Sequence, residues 1–270
     1  MSTIAEQLQK STVRITTGNS TGTGFFFEFA AMQDDSGTRN YILGVVTNKH
    51  VLSQASSVNM VLTVRRGDDA DAFLLPVNVD NPVVILHPDE NIDLACILIS
   101  PVLNQLEEQG IYCEFVSLSK EWIPTKSMID ELTPVEDVLV IGYPNGIWDH
   151  VNNLPLFRKG ITASDIRKDF QGEKKFIIDC SIFPGSSGSP VCIYNEGAYS
   201  TPKGLTVGAR FMFVGVNSAV YLNSSFGSIV ETPIETGYTA QINSPNNLGI
   251  IIKSSEVLEL DKIIQERYPR

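Results

Sequence analysis

The sequence predicts an all-β sandwich or barrel with helices mainly at its two ends. The 20 glycines and 14 prolines are spread between short apolar runs, which is typical of many short strands joined by turns. Helical periodicity appears mainly near the termini. A length of 270 residues allows one large β domain or two small ones, and no Pro/Gly/Ser-rich linker divides the chain.

The two terminal helices have separate signals. Residues 4–10 predict a short helix that precedes a strand at 12–15. Residues 254–267 predict a C-terminal helix whose cap is Ser254 or Ser255. The buried stripe predicted for this helix consists of Val257, Leu260, Ile263 and Ile264.

The charge balance disfavours two classes of binding partner. A formal net charge of −11 disfavours binding to nucleic acid or to an anionic membrane, because both need a basic surface. No apolar run approaches the roughly 20 residues that span a bilayer. The first residues lack the basic and apolar regions of a signal peptide, so we expect a cytoplasmic protein.

The four cysteines, Cys96, Cys113, Cys180 and Cys192, match no zinc-site spacing. We expect reduced, mostly buried thiols, as is usual in a reducing compartment. A disulfide between Cys180 and Cys192 is the alternative. We predict neither a metal nor another cofactor.

The clearest chemical signal is Ser187, in the Gly/Ser-rich stretch 183–190 that follows an apolar run. A serine hydroxyl is a weak nucleophile that needs a base to take its proton and N–H donors to stabilise the oxyanion. A tight turn of this composition can hold the nucleophile and the donors together. An ordinary surface hairpin loop is the alternative interpretation.

Two other residues complete a catalytic hypothesis. Of the three histidines (His50, His87 and His150), His50 ends a run with strand character, and Asp93 opens an apolar strand. Each has a plain alternative, a surface histidine and a capping or turn aspartate. Together with Ser187 they occur in the chain order His, Asp, Ser, which is the chymotrypsin-like order.

Eight segments strengthen this hypothesis because they resemble, in order, those of chymotrypsin-fold serine proteases, specifically the HtrA-like and glutamyl-endopeptidase-like branches. They are residues 22–26, 47–52, 93–95, 141–144, 160–163, 184–190, 214–219 and 248–250. The resemblance implies two six-stranded antiparallel β-barrels, at about 11–120 and about 135–253, within a protease unit of residues 1–253. Residues 254–270 would be a C-terminal helix packed on that unit.

The resemblance also implies roles for individual residues. His50 would be the general base, Asp93 would orient it, and Ser187 would attack the scissile carbonyl to form an acyl-enzyme. The N–H groups of Gly185 and Ser187 would form the oxyanion hole. The protein would then be a serine endopeptidase with protein or peptide substrates. An inactive or activator-dependent peptide-binding module, or an esterase using the same triad, is the alternative.

The resemblance places the specificity pocket at Ser181, Ile182, Val216, Asn217 and Ser218. None of these side chains is charged, and Asn217 stands where the glutamyl-endopeptidase branch has a histidine. We therefore expect cleavage after small or medium apolar residues.

Ser186 stands where trypsin-like zymogens have an aspartate, so activation by N-terminal cleavage is not expected. Control would act through loops 145–158 and 166–175, by an activating partner or by oligomerisation.

Overall fold

The computed structural model describes residues 3–18, 20–34, 36–53, 55–67, 71–231 and 234–269; for residues 221–245 we describe the backbone alone. The described chain folds into two antiparallel β units, as the all-β prediction requires.

The N-terminal unit is a curled sheet of eight strands. They run in the order β5-β4-β1-β2-β3-β7-β6, with β8 beside β4. The strands are β1 Thr12–Thr16, β2 Thr21–Gln33, β3 Arg39–Thr47, β4 Ser57–Arg66, β5 Phe73–Asp80, β6 Val84–Leu86, β7 Ala95–Leu98 and β8 Ile111–Cys113. The sheet differs from the predicted closed barrel of six strands because β5 and β6 form open edges in the described chain.

The C-terminal unit is a closed barrel of six strands, as predicted, in the order β10-β11-β16-β15-β12-β9. Its strands, with the side hairpin β13–β14, are β9 Asp137–Gly142, β10 Leu156–Thr162, β11 Lys175–Asp179, β12 Pro190–Asn195, β13 Ala198–Thr201, β14 Gly204–Val207, β15 Arg210–Glu231 and β16 Ile234–Lys253. The pairing of β15 with β16 continues out to Glu231 opposite Ile234.

Four α-helices flank these sheets: α1 Ile4–Leu8, α2 Ser100–Glu108, α3 Lys126–Asp130 and α4 Val257–Arg267. The α1 helix confirms the predicted N-terminal helix, and Thr3 caps it in a capping box with Glu6. Sequence periodicity missed α2 and α3. Of these, α2 carries a proline in its first turn, a position where the missing N–H costs nothing.

The C-terminal helix confirms most of the predicted stripe, since Val257, Leu260 and Ile264 are fully buried, whereas Ile263 is only partly buried. The predicted cap was wrong: Ser254–Glu256 forms a 3-10 turn before α4, and no side chain caps either element. Asp261 of α4 accepts a hydrogen bond of 2.6 Å from the N–H of Ala30 in β2, which ties the helix to the N-terminal sheet.

A shared aromatic core joins the two β units. The rings of Phe25 in β2 and Phe213 in β15 lie 5.2 Å apart in an edge-to-face arrangement, and both residues are completely buried. Burying rings of this size contributes strongly to stability, so this contact helps to hold the two units together.

The four cysteines are free thiols, and Cys96, Cys180 and Cys192 are buried. Burial raises the pKa of the Cys96 and Cys192 thiols well above the ordinary value. Within the described ranges, every helix is too short or too polar to cross a membrane.

Candidate active site

The register of two strands brings His50 and Asp93 together. Strands β3 and β7 pair antiparallel with Thr47 opposite Ala95. His50 follows Thr47 in the 3-10 turn Lys49–Val51, and Asp93 precedes Ala95. Because the strands run in opposite directions, both residues emerge beyond the same end of the pair.

The two side chains are in direct contact. His50 Nδ1 lies 2.6 Å from Asp93 Oδ2, and the His50 backbone N–H donates to Asp93 Oδ1 at 3.1 Å. A carboxylate at Nδ1 favours the tautomer that carries its proton there, which leaves Nε2 as an acceptor. On the other side, the Asn48 amide donates to the Asp93 carbonyl at 2.7 Å and holds the backbone of the aspartate.

Asp93 is held ionised by its neighbours. Partial burial opposes ionisation, but hydrogen bonds from His50 and Ser218 outweigh it and keep the pKa of Asp93 below its ordinary value. The Ser218 hydroxyl donates to Asp93 Oδ2 at 3.1 Å. Since Ser218 lies on β15, the carboxylate is shared between the two β units.

Ser187 lies in the loop between β11 and β12. Its carbonyl accepts from the N–H of Thr23 at 2.8 Å, and the Thr23 carbonyl accepts from the Thr47 hydroxyl at 2.8 Å, at the end of the strand that leads to His50. The Asn217 carbonyl, adjacent to Ser218, accepts from the Gly188 N–H at 2.8 Å. Thus the loop 180–189, which we term the nucleophile loop after the role predicted for Ser187, and the His50–Asp93 pair contact the same short segments.

The loop turns sharply at Gly185. The Ser186 N–H donates to the Phe183 carbonyl at 3.0 Å, with Pro184 second and Gly185, at φ +89°, third in the turn. Proline followed by a residue with positive φ is the signature of a type II turn, a conformation that favours glycine in the third position.

Two N–H groups of this loop are left without acceptors. The N–H groups of Ser186, Gly188 and Ser189 all donate to backbone carbonyls. The N–H groups of Gly185 and Ser187 donate to no described residue. The Ser187 hydroxyl and His50 Nε2 also have no hydrogen-bond partner among the described residues. Unpaired N–H groups next to a serine are suited to stabilise a developing negative charge.

The five predicted pocket residues lie in different environments. Ser181 is half-buried, whereas Ile182, Val216 and Asn217 are almost completely buried, and the Ser218 hydroxyl is committed to Asp93. A Cβ added at Gly249 would lie 3.0 Å from Ile182 and 3.4 Å from Asn217 Oδ1, so these three residues are neighbours.

The remaining histidines have other surroundings. His87 is buried with Nε2 3.5 Å from a Glu256 carboxylate oxygen, and it joins β6 to the turn before α4. His150 is exposed and packs edge-to-face against Trp148. Among the described residues, no group of three or more His, Cys, Asp or Glu side chains is arranged to hold a metal ion.

Several residues of the site were not singled out in the sequence. Thr23, Asn48 and Thr47 lie within segments of the resemblance, but their hydrogen-bonding partners are far away in the chain. The signal that could have located Thr23 is a glycine far from it in the chain. A Cβ at Gly142 would lie 2.6 Å from the Thr23 hydroxyl, so small residues leave room for it.

Comparison with known proteins agrees with this architecture. Residues 22–198 match the sequence model of the trypsin-like peptidase domain. The chain belongs to this family. No curated protein matches it by sequence. The fold of this trypsin-like peptidase is therefore chymotrypsin-like, which confirms the family and the fold class expected from the sequence; the N-terminal unit is a curled half-barrel and not a closed barrel.

Solved structures similar to this trypsin-like peptidase include an inactive mutant form of Rv3671c from M. tuberculosis H37Rv, with 15% identity, a TM-score of 0.44, and coverage of 99% of this chain and 92% of that chain. A human pathogenic astrovirus serine protease has 15% identity, a TM-score of 0.41, and coverage of 91% and 90%. A Glu endopeptidase in complex with MPD has 13% identity, a TM-score of 0.41, and coverage of 97% and 95%.

Proposed function

We propose that this trypsin-like peptidase is a serine endopeptidase that hydrolyses peptide bonds through an acyl-enzyme on Ser187. The observation that carries the proposal is a pair of N–H groups, at Gly185 and Ser187, that have no acceptor among the described residues. Their loop bonds Thr23 and Asn217, and Asn217 is the neighbour of Ser218, which donates to Asp93. A base with its orienting acid, a hydroxyl and two donors are the parts that acyl transfer requires.

In the first step, His50 Nε2 takes the proton of the Ser187 hydroxyl while the oxygen attacks the scissile carbonyl. Asp93 stabilises the imidazolium that forms, because its carboxylate already accepts from Nδ1 at 2.6 Å. The Gly185 and Ser187 N–H groups donate to the oxyanion. The described residues show no hydrogen bond between Ser187 and His50, and such contacts often tighten only in the complex.

In the second step, the tetrahedral intermediate collapses and His50 returns the proton to the leaving amine. An ester now joins the substrate to Ser187. Water attacks this ester with His50 again acting as base, and the second collapse releases the acid and restores the hydroxyl. Each donor to the oxyanion contributes about 10²–10³ in rate in enzymes of this type.

Specificity for small or medium apolar residues follows from the pocket region. Ile182 and Val216 are buried and apolar, and Val220 pairs across from Gly249 in β16. The predicted pocket segments contain no charged side chain to bind an acidic or basic substrate residue. Profiling cleavage of a peptide library tests this; a strict preference for acidic or basic residues would contradict it.

Labelling with a fluorophosphonate tests the enzyme proposal itself. We expect the parent protein to be labelled, Ser187→Ala to be unlabelled, and Ser189→Ala to be labelled, because the Ser189 hydroxyl is buried and bonds to no residue that the structure describes. A parent protein that stays unlabelled would instead favour the peptide-binding module or an activator-dependent enzyme.

A further inference from the structure

Every carbonyl from Pro184 to Ser187 accepts a hydrogen bond from a residue outside the nucleophile loop. The donors are the Asn145 N–H to Pro184 at 2.6 Å, the Thr23 hydroxyl to Gly185 at 2.9 Å, the Asn217 amide to Ser186 at 2.9 Å, and the Thr23 N–H to Ser187 at 2.8 Å. Thr23 lies on β2 of the N-terminal sheet, and Asn217 lies on β15 of the C-terminal barrel. The loop is therefore held from both β units.

The bond from Asn217 bears directly on the N–H of Ser187. That N–H belongs to the same planar peptide as the Ser186 carbonyl, and in a trans peptide the two groups point in opposite directions. Holding the carbonyl toward Asn217 thus directs the Ser187 N–H to the other side, where no described acceptor occupies it. In the same way, the Asn145 N–H holds the Pro184 carbonyl, which shares a peptide with the Gly185 N–H, and so it directs that N–H to the opposite side.

Thr23 bonds the carbonyl groups of Gly185 and Ser187, the two residues whose N–H groups face the oxyanion in the proposal. Its hydroxyl donates to Gly185 and accepts from the Tyr143 N–H at 3.1 Å, while its own N–H reaches Ser187. The side chain is completely buried, so water cannot replace the hydroxyl without rearrangement. A Cβ at Gly188 would lie 2.0 Å from the Thr23 carbonyl, which shows how closely β2 and the loop approach each other.

The surroundings of Asn217 favour a role in holding the loop over direct contact with substrate. The residue is 1% exposed, its amide nitrogen is committed to Ser186, and its buried Oδ1 atom has no hydrogen-bond partner among the described residues. Burying an amide with one unpaired oxygen costs free energy, and the hydrogen bond to the Ser186 carbonyl offsets part of that cost.

We propose that Asn217 and Thr23 are positioning residues, one from each β unit, that orient the Gly185 and Ser187 N–H groups toward the oxyanion. The inference rests on the proposed serine endopeptidase function and adds that the oxyanion hole depends on the packing of the two units against each other. Neither side chain touches the substrate; both act through the backbone of the loop.

The test compares four variants in their rate of fluorophosphonate labelling, which develops negative charge on the phosphoryl oxygen. Asn217→Leu and Thr23→Val remove the two side-chain hydrogen bonds at nearly constant volume. Thr23→Ser keeps the hydroxyl. Thr162→Val is the matched control, because buried Thr162 also donates to one carbonyl, of Pro134, and accepts from one N–H, of Glu136, but lies away from the loop.

We expect Asn217→Leu and Thr23→Val to be labelled about 10- to 100-fold more slowly than the parent, less than the loss of a whole donor. Thr23→Ser should be labelled at close to the parent rate. Thr162→Val should lose as much thermal stability as Thr23→Val while keeping the parent rate. On a p-nitrophenyl ester, the two slow variants should lose kcat with little change in KM.

Two outcomes would overturn the inference while leaving the proposed function intact. One is a labelled parent together with Asn217→Leu and Thr23→Val at the parent rate. The other is an equal slowing in Thr162→Val, because the effect would then reflect general stability. A parent that is never labelled would instead overturn the endopeptidase proposal on which the inference rests.

Discussion

The two halves of the candidate site are assembled in different ways. His50 and Asp93 both belong to the N-terminal sheet, and the pairing of β3 with β7 is enough to bring them together. The nucleophile loop belongs to the C-terminal barrel, but its carbonyls are held by Thr23 of one unit and Asn217 of the other.

This difference indicates where each half is vulnerable. The histidine–aspartate pair depends on one strand register inside one sheet, so it should survive small changes at the boundary between the units. The nucleophile loop depends on that boundary. The two halves meet at Asp93, whose carboxylate accepts from His50 on one side and from Ser218 of the barrel on the other.

The largest effect should come from breaking the N-terminal half with Asp93→Asn. An asparagine has one side-chain oxygen and one NH2 group, so it cannot accept both hydrogen bonds from His50 and it favours the wrong imidazole tautomer. We expect kcat to fall by about 10⁴-fold with little change in fold. Hydrolysis of a peptide ester measures this. Asp89→Asn is the control, since Asp89 bonds Asn91 in the same loop; equal losses in both variants would contradict the assignment of Asp93.

A smaller effect should come from breaking the boundary with Gly188→Ala. The new methyl group would lie 2.0 Å from the Thr23 carbonyl, in a residue at φ +85°. We expect a loss of about 1–3 kcal/mol in the free energy of unfolding, together with slower fluorophosphonate labelling.

The matched control for this variant is Gly197→Ala. Gly197 has nearly the same φ, +83°, but nothing lies within 4 Å of its added Cβ. Gly197→Ala therefore measures the effect of backbone strain without a steric clash. If urea unfolding and labelling gave the same values for both variants, close packing between β2 and the loop would not be the cause.

The smallest effect should come from weakening the link between the halves with Ser218→Ala. Loss of this one hydrogen bond should reduce kcat by about 10-fold at most, because Asp93 keeps both of its hydrogen bonds from His50. It should also raise the pKa of Asp93 toward its ordinary value of 3.8.

The pH dependence of stability checks this change. A carboxyl group with a lowered pKa stabilises the fold above its unfolded value, and that stabilisation is lost as the pH falls through the lowered pKa. Below about pH 4, the parent should therefore keep this stabilisation to a lower pH than Ser218→Ala does. Identical urea-unfolding profiles between pH 2 and pH 5 would show that Ser218 does not tune Asp93.

Local pattern was sufficient for part of the architecture. The punctuation of short apolar runs by glycine and proline predicted the β class, and the stripe Val257, Leu260 and Ile264 predicted the C-terminal helix. It failed where neighbours far along the chain decide the outcome. The open edges of the N-terminal sheet depend on which strands pair, and periodicity also missed α2.

By itself, the sequence determined the residue types that acyl transfer needs, their order along the chain, and the turn chemistry of Pro184 and Gly185. Only the tertiary structure decided which N–H groups stay unpaired and what holds them. Thr23 meets Gly185 across 162 positions of the chain, and Asn217 meets Ser186 across 31. A hydrogen bond depends on distance and direction in space, and neither follows from the spacing of two residues in the chain.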